Sequence, residues 1–180
     1  MATDGAGEPA ADPAGDLWRF ALALYGRPGV SGHCLMLQDR HGCDVTVLLF
    51  AAWAGAARGI GLSARDLGAA RAAVEAWHGE VVRPLRAVRR RLKQGPPPAP
   101  TGRTGELRAR IQTIEIEAER IELEVLAGCL PVPAASRGRP SPELVLANLE
   151  LAAPGLEGES RDALRAVAET AYSIGGAIEL

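Results

Sequence analysis

Two long segments with apolar residues three or four positions apart, joined by a run that no helix can cross, restrict this chain to a small set of folds. The first carries Leu67, Ala70, Val74, Trp77, Val81, Leu85, Val88 and Leu92, and the second Leu107, Ile111, Ile114, Ala118, Ile121 and Val125. Such steps return to one face of an α-helix, so each segment reads as a long amphipathic helix. Between them, residues 94 to 105 contain Gly-Pro-Pro-Pro-Ala-Pro and further glycines, which favour an extended connection. The spacing therefore predicts an antiparallel helical hairpin whose two stripes face each other. Pro84 should kink the first helix near residues 80 to 84, because its ring removes a hydrogen bond and crowds the preceding turn.

The remaining sequence reads as shorter helices. Residues 1 to 15 hold Gly, Ala, Pro and acids without periodicity and are expected to form a disordered tail. Asp16 is placed to cap a first helix ending at Gly26, Pro28 to open a second that His41-Gly42 closes, and Asp44 to cap a third. Apolar residues surround the third helix, which marks it as central. Ser63 and Asp66 form a capping box, Ser141-Pro142-Glu143 starts another helix, and Ser160 is placed to cap the last. The expectation is an all-α, single-domain helical bundle of about five to seven helices over residues 16 to 180. No segment alternates like a strand, which disfavours parallel-sheet cofactor folds.

Apolar residues make up 47% of the chain but aromatics only 4%, so the core should be aliphatic and alanine-rich. Trp18, Phe20, Tyr25, Phe50, Trp53 and Trp77 fall at helical spacing and are expected to point inward. Cys34, Cys43 and Cys129 show no CxxC spacing and argue against a disulfide framework. The start of the chain lacks the basic and apolar regions of a secretory signal, and the apolar run from Val45 to Ala57 is shorter than a membrane span. The expected location is the cytoplasm.

The block from Cys34 to Trp53, Cys-Leu-Met-Leu-Gln-Asp-Arg-His-Gly-Cys-Asp-Val-Thr-Val-Leu-Leu-Phe-Ala-Ala-Trp, resembles the signature of a bacterial family of uncharacterised helical proteins. Trp18, Phe20, Tyr25 and Gly29-Val30 are similar to that family's opening, and the resemblance runs from about residue 16 to residue 130. Thr46 stands where the pattern leads one to expect Asn. The resemblance implies a helical fold and carries no reaction or ligand.

Residues able to do chemistry are few. His33, Cys34, His41 and Cys43 lie within eleven positions, but adjacent 33 and 34 diverge on a helix, so no metal set is expected there. Gln38, Asp39 and Asp44 flank the second interhelical break. They form a candidate polar turn, with His41 beside it, suited to acid–base work or a hard cation if the protein is a small enzyme or metal-binding protein. No phosphate loop, G-x-S-x-G or H-E-x-x-H motif occurs, so no cofactor is expected and the balance falls on a non-catalytic protein.

The feature pointing most directly to a partner is basic. From Arg83 to Arg110, nine cations stand against Glu106 alone, a local charge of +8. In a hairpin these cations meet at one tip. Arg83, Arg86, Arg90, Lys93, Arg103 and Arg108 are the candidate anion-binding set, with Glu115, Glu117, Glu119, Glu122 and Glu124 expected farther down, facing the earlier half of the first helix. Arg86, Arg90 and Lys93 are expected to be mostly exposed. The reading is a binding or adaptor protein whose tip contacts nucleic acid or an acidic protein; no aromatic lies between Trp77 and Tyr172 to stack bases. The oligomeric state stays open.

Overall fold

The structure, a computed structural model, describes residues 12–95, 97, 101–130 and 138–176. Its elements are α1 (Pro13–Tyr25), α2 (Val30–His41), α3 (Val45–Ala56), α4 (Ala64–Trp77), a π turn (His78–Val82), α5 (Arg83–Arg91), α6 (Thr101–Gly128), α7 (Pro142–Ala152) and α8 (Gly158–Gly175). Because α4, the π turn and α5 run on without a break, the described residues form an all-α fold of seven helical rods. No strand occurs among the described residues, and no helix among them is long and apolar enough to cross a membrane.

All twelve residues of α3 are buried, as expected of a helix apolar on every side. It packs on α7, α8, α6 and α1, with Trp53, Phe50, Leu17, Phe20 and Leu149 fully buried around it. Trp18 and Trp77 are half-buried and Tyr25 lies at the surface. Buried Asn148 on α7 ties the α3–α4 connection down. Its Nδ2 donates to the carbonyls of Ala51 and Ile60, at 3.2 and 2.8 Å, and its Oδ1 accepts from the Leu62 amide at 2.9 Å.

Caps at Asp44, Ser63 and Ser141 and the stop at Gly42 match the sequence reading. Three other boundaries are corrected. Asp12, not Asp16, caps α1, so residues 13 to 15 of the expected tail are its first turn; residues 1–11 lie outside the described residues. Asp16 is buried and pairs with Arg19 and Arg58. Gly29 precedes α2 in place of Pro28, and α8 begins at Gly158, so Ser160 lies inside it.

The expected kink takes the form of the π turn. The Arg83 amide donates to the His78 carbonyl five residues back, just ahead of Pro84. A wider turn relieves the contact between the proline ring and the preceding carbonyls that a tight α turn would force.

Small residues set the closest helix contact. A Cβ built on Gly175 would overlap the Ala56 carbonyl group and lie 2.9 Å from the Ala56 Cβ. Gly175→Ala should therefore destabilise by about 1–3 kcal/mol, read by urea denaturation. The neighbouring Gly176→Ala should be nearly silent, because its Cβ meets nothing within 4 Å.

The face that α6 buries is also a correction. Leu107, Ile114, Ile121 and Val125 of the expected inward stripe are 46, 46, 44 and 42% exposed. Ala118 of that stripe is buried as expected, and Glu115, Glu122, Leu123 and Leu126 are buried in place of these four. The acidic face turns inward because α5 and the π turn supply its partners.

Candidate metal centre

Three elements bring one side chain each to a point where α3 begins, α4 turns into α5 and α6 crosses both. Asp44 is held by its capping role: Oδ1 accepts from the amides of Thr46 and Val47, at 3.0 and 3.4 Å, and lies 2.6 Å from the Thr46 hydroxyl. That leaves Oδ2 free to lie 3.1 Å from Nδ1 of His78. His78 opens the π turn, a distortion frequent at functional sites. Glu122, fully buried in mid-α6, places Oε1 and Oε2 3.0 and 3.3 Å from the same His78 nitrogen. Thr46 Oγ1 lies 2.7 Å from Glu122 Oε1 and so links the two carboxylates. One ligand atom from each of Asp44, His78 and Glu122 falls within 4.8 Å of the other two.

Charge in this cluster does not balance with two ionised carboxylates. The Thr46 hydroxyl has one proton and two carboxylate neighbours, so one of its contacts would set lone pair against lone pair. Burial, reinforced by Asp44, holds the Glu122 carboxyl above the usual carboxylate range despite its bonds to His78 and Thr46. The Glu122 hydrogen bond, outweighing burial and joined by the Asp44 charge, raises His78. Both shifts favour a bound proton in the cluster, a place that a cation can take instead. Asp44 and His78 also line an open cleft of about 880 Å³, with His41, Arg71 and Arg83 on its walls.

The polar turn named from the sequence is only partly assembled. Asp44 belongs to the cluster, but Asp39 sits at the surface paired with Arg90, whose hydrogen bond holds its carboxyl below the usual range. Gln38 faces a separate pocket of about 380 Å³ beside Trp18 and Tyr25. His41 Nε2 lies 2.7 Å from Ser160 Oγ, and Cys34 is buried, which pushes its thiol up to about 12. His33 and Cys43 join no metal-capable group among the described residues.

The basic tip is more heavily neutralised than expected. Arg86 is half-buried, with Nε 3.1 Å from Glu115 and Nη2 2.6 Å from Glu119. Arg89 makes a two-pronged contact with Glu115, one arm at 3.1 Å. These acids reach the basic end of the hairpin rather than the earlier half of the first helix. Arg83, Arg91, Lys93, Arg103 and Arg110 remain exposed and form no ion pair among the described residues, and Arg108 is half-buried.

His78 and Glu122 were absent from the sequence-based candidates, since each fits an unremarkable helical position and lies far along the chain from Asp44. The one local hint was the kink at Pro84. A family model described as "Protein of unknown function (DUF2390)" matches residues 16–126, a span containing all three ligand positions. No curated protein and no solved structure matches the chain.

Proposed function

We propose, taking as premise that the chain belongs to the DUF2390 family of proteins of unknown function, that it binds a divalent first-row metal ion through Asp44, His78 and Glu122. The open coordination positions of that ion would face the cleft. The observation carrying this reading is the convergence of three ligand atoms from three separate elements. Ligands about 2.0–2.2 Å from an ion lie about 3.0–3.4 Å apart along the edges of its polyhedron. His78 Nδ1 lies 3.0 Å from Glu122 Oε1 and 3.1 Å from Asp44 Oδ2. One imidazole with two carboxylates suits zinc, manganese or iron better than calcium. Three protein ligands beside an open cleft suit Lewis-acid chemistry on a bound water, and Arg71 and Arg83 favour an anionic substrate.

A polyanion-binding tip has less support, because Arg86, Arg89 and Arg90 are engaged with Glu115, Glu119 and Asp39.

Untagged, chelator-treated protein titrated calorimetrically with zinc or manganese should take up one ion per chain. Glu122→Gln should weaken binding by about 100-fold or more, since it removes a direct ligand and even an outer-shell partner is worth about 10–100-fold. The same variant should remain folded without metal, because glutamine keeps the shape of Glu122 and can still hydrogen-bond His78 and Thr46. At about 100 times the wild-type dissociation constant, the ion should stabilise the wild type by about 2.7 kcal/mol and the variant by no more than about 0.4 kcal/mol. Equal uptake by wild type and variant, or none by either, would sink the reading.

A further inference from the structure

We infer that two copies of this chain pair antiparallel through the outer face of α6, as a dimer with twofold symmetry. The inference is independent of the metal reading.

Leu107, Ile114, Ile121 and Val125 lie on one line along α6, spaced seven, seven and four, and each leaves more than two-fifths of its surface in solvent. Val88 on neighbouring α5 is 47% exposed. A continuous apolar line on a long surface helix marks an interaction surface rather than scattered exposure.

The pattern of the line specifies its partner. Running a second α6 in the opposite direction about position 116 sets Leu107 opposite Val125 and Ile111 opposite Ile121, with Ile114 between these layers. Both layers share one register, so the face is complementary to itself, as a twofold interface requires.

Charge gives the same orientation independently. Beside the apolar line, Arg103, Arg110, Glu117 and Glu124 recur every seven residues on one flank, all exposed. Two cations are followed by two anions. A parallel copy would set like against like, whereas an antiparallel copy lays the basic half of each helix along the acidic half of the other. This supplies carboxylates to Arg103 and Arg110, which form no ion pair among the described residues, and adds a second partner to Glu124, already paired with Arg120. Since α5 packs beside α6, pairing joins two hairpins into a four-helix arrangement. A nucleic acid would have to lay its phosphates over the apolar line and beside the acidic half, which neither feature favours.

The test is the mass of the full-length protein by light scattering at micromolar concentration. The wild type should show twice the 18.8 kDa of one chain. Ile114→Lys with Ile121→Lys should give a monomer of unchanged helicity by circular dichroism. Charge reversal provides a second arm that spares the apolar line. Arg103→Glu with Arg110→Glu, and separately Glu117→Arg with Glu124→Arg, should each be monomeric, and mixing the two proteins should restore a dimer. A monomeric wild type, or a dimer that survives the lysine pair, overturns the inference. Dimers from either charge-reversed protein alone, or a mixture that stays monomeric while the wild type is dimeric, overturn the antiparallel arrangement.

Discussion

Replacing Trp53 with alanine should lower unfolding stability by about 3–5 kcal/mol, which for a chain of this size is a fall of about 10 °C in melting temperature. Trp53 is fully buried in α3, the helix on which most of the bundle packs. Its ring centroid lies 6.4 Å from that of Phe50, and the Arg58 guanidinium stands 4.9 Å above it. Alanine would leave a cavity between rigid helices and remove the aromatic face that helps hold Arg58. Trp53→Phe provides the contrast. The indole Nε1 has no hydrogen-bond partner among the described residues, so its loss removes a buried unsatisfied donor and offsets part of the lost volume, and the expected cost is below about 1.5 kcal/mol. Urea denaturation reads both. If alanine costs less than the phenylalanine change, Trp53 is not at the centre of the core.

Glu115→Ala should cost about 3 kcal/mol at neutral pH, the lower end of what breaking a buried ion pair removes. Glu115 is buried between Arg86 and Arg89, whose side chains retain 13 and 20% exposure, so some hydration of the guanidiniums limits the penalty. Burial pushes its carboxyl upward, but the hydrogen bonds and charges of Arg89 and Arg86 together outweigh burial and hold it below the usual glutamate value. A depressed carboxyl contributes stability that is present above its unfolded value and lost as pH falls through the folded one. The difference between wild type and variant should thus shrink on acidification below the ordinary glutamate range. Arg86→Met and Arg89→Met placed in the same chain as Glu115→Leu and Glu119→Gln should recover much of the loss, because the charges that pair with one another are then removed together. A cost independent of pH would mean that Glu115 contributes by packing alone.

Both predictions concern positions with different legibility. Trp53 lies in a segment apolar on every side, and a helix with no polar face has nowhere to go but the interior. Asp44, Ser63 and Ser141 were equally readable, because a cap is a contact between residues two or three apart. Glu115 was misplaced. By apolar content alone, the line through Leu107, Ile114 and Ile121 is the better candidate for burial, and only the arginines of α5 make the acidic face the one that turns inward.

The same distinction separates the site from the fold. The sequence by itself determined that this chain is helical, where its central helix lies, and that the two helix ends flanking the Pro-rich run are basic, since each of these follows from residues within one or two turns of each other. Only the tertiary structure decided which face of α6 is buried and which carboxylates meet His78. Those choices rest on contacts between residues 29 to 76 positions apart. Local periodicity holds no record of such contacts, because the charges that repay desolvation of a buried carboxylate come from other helices.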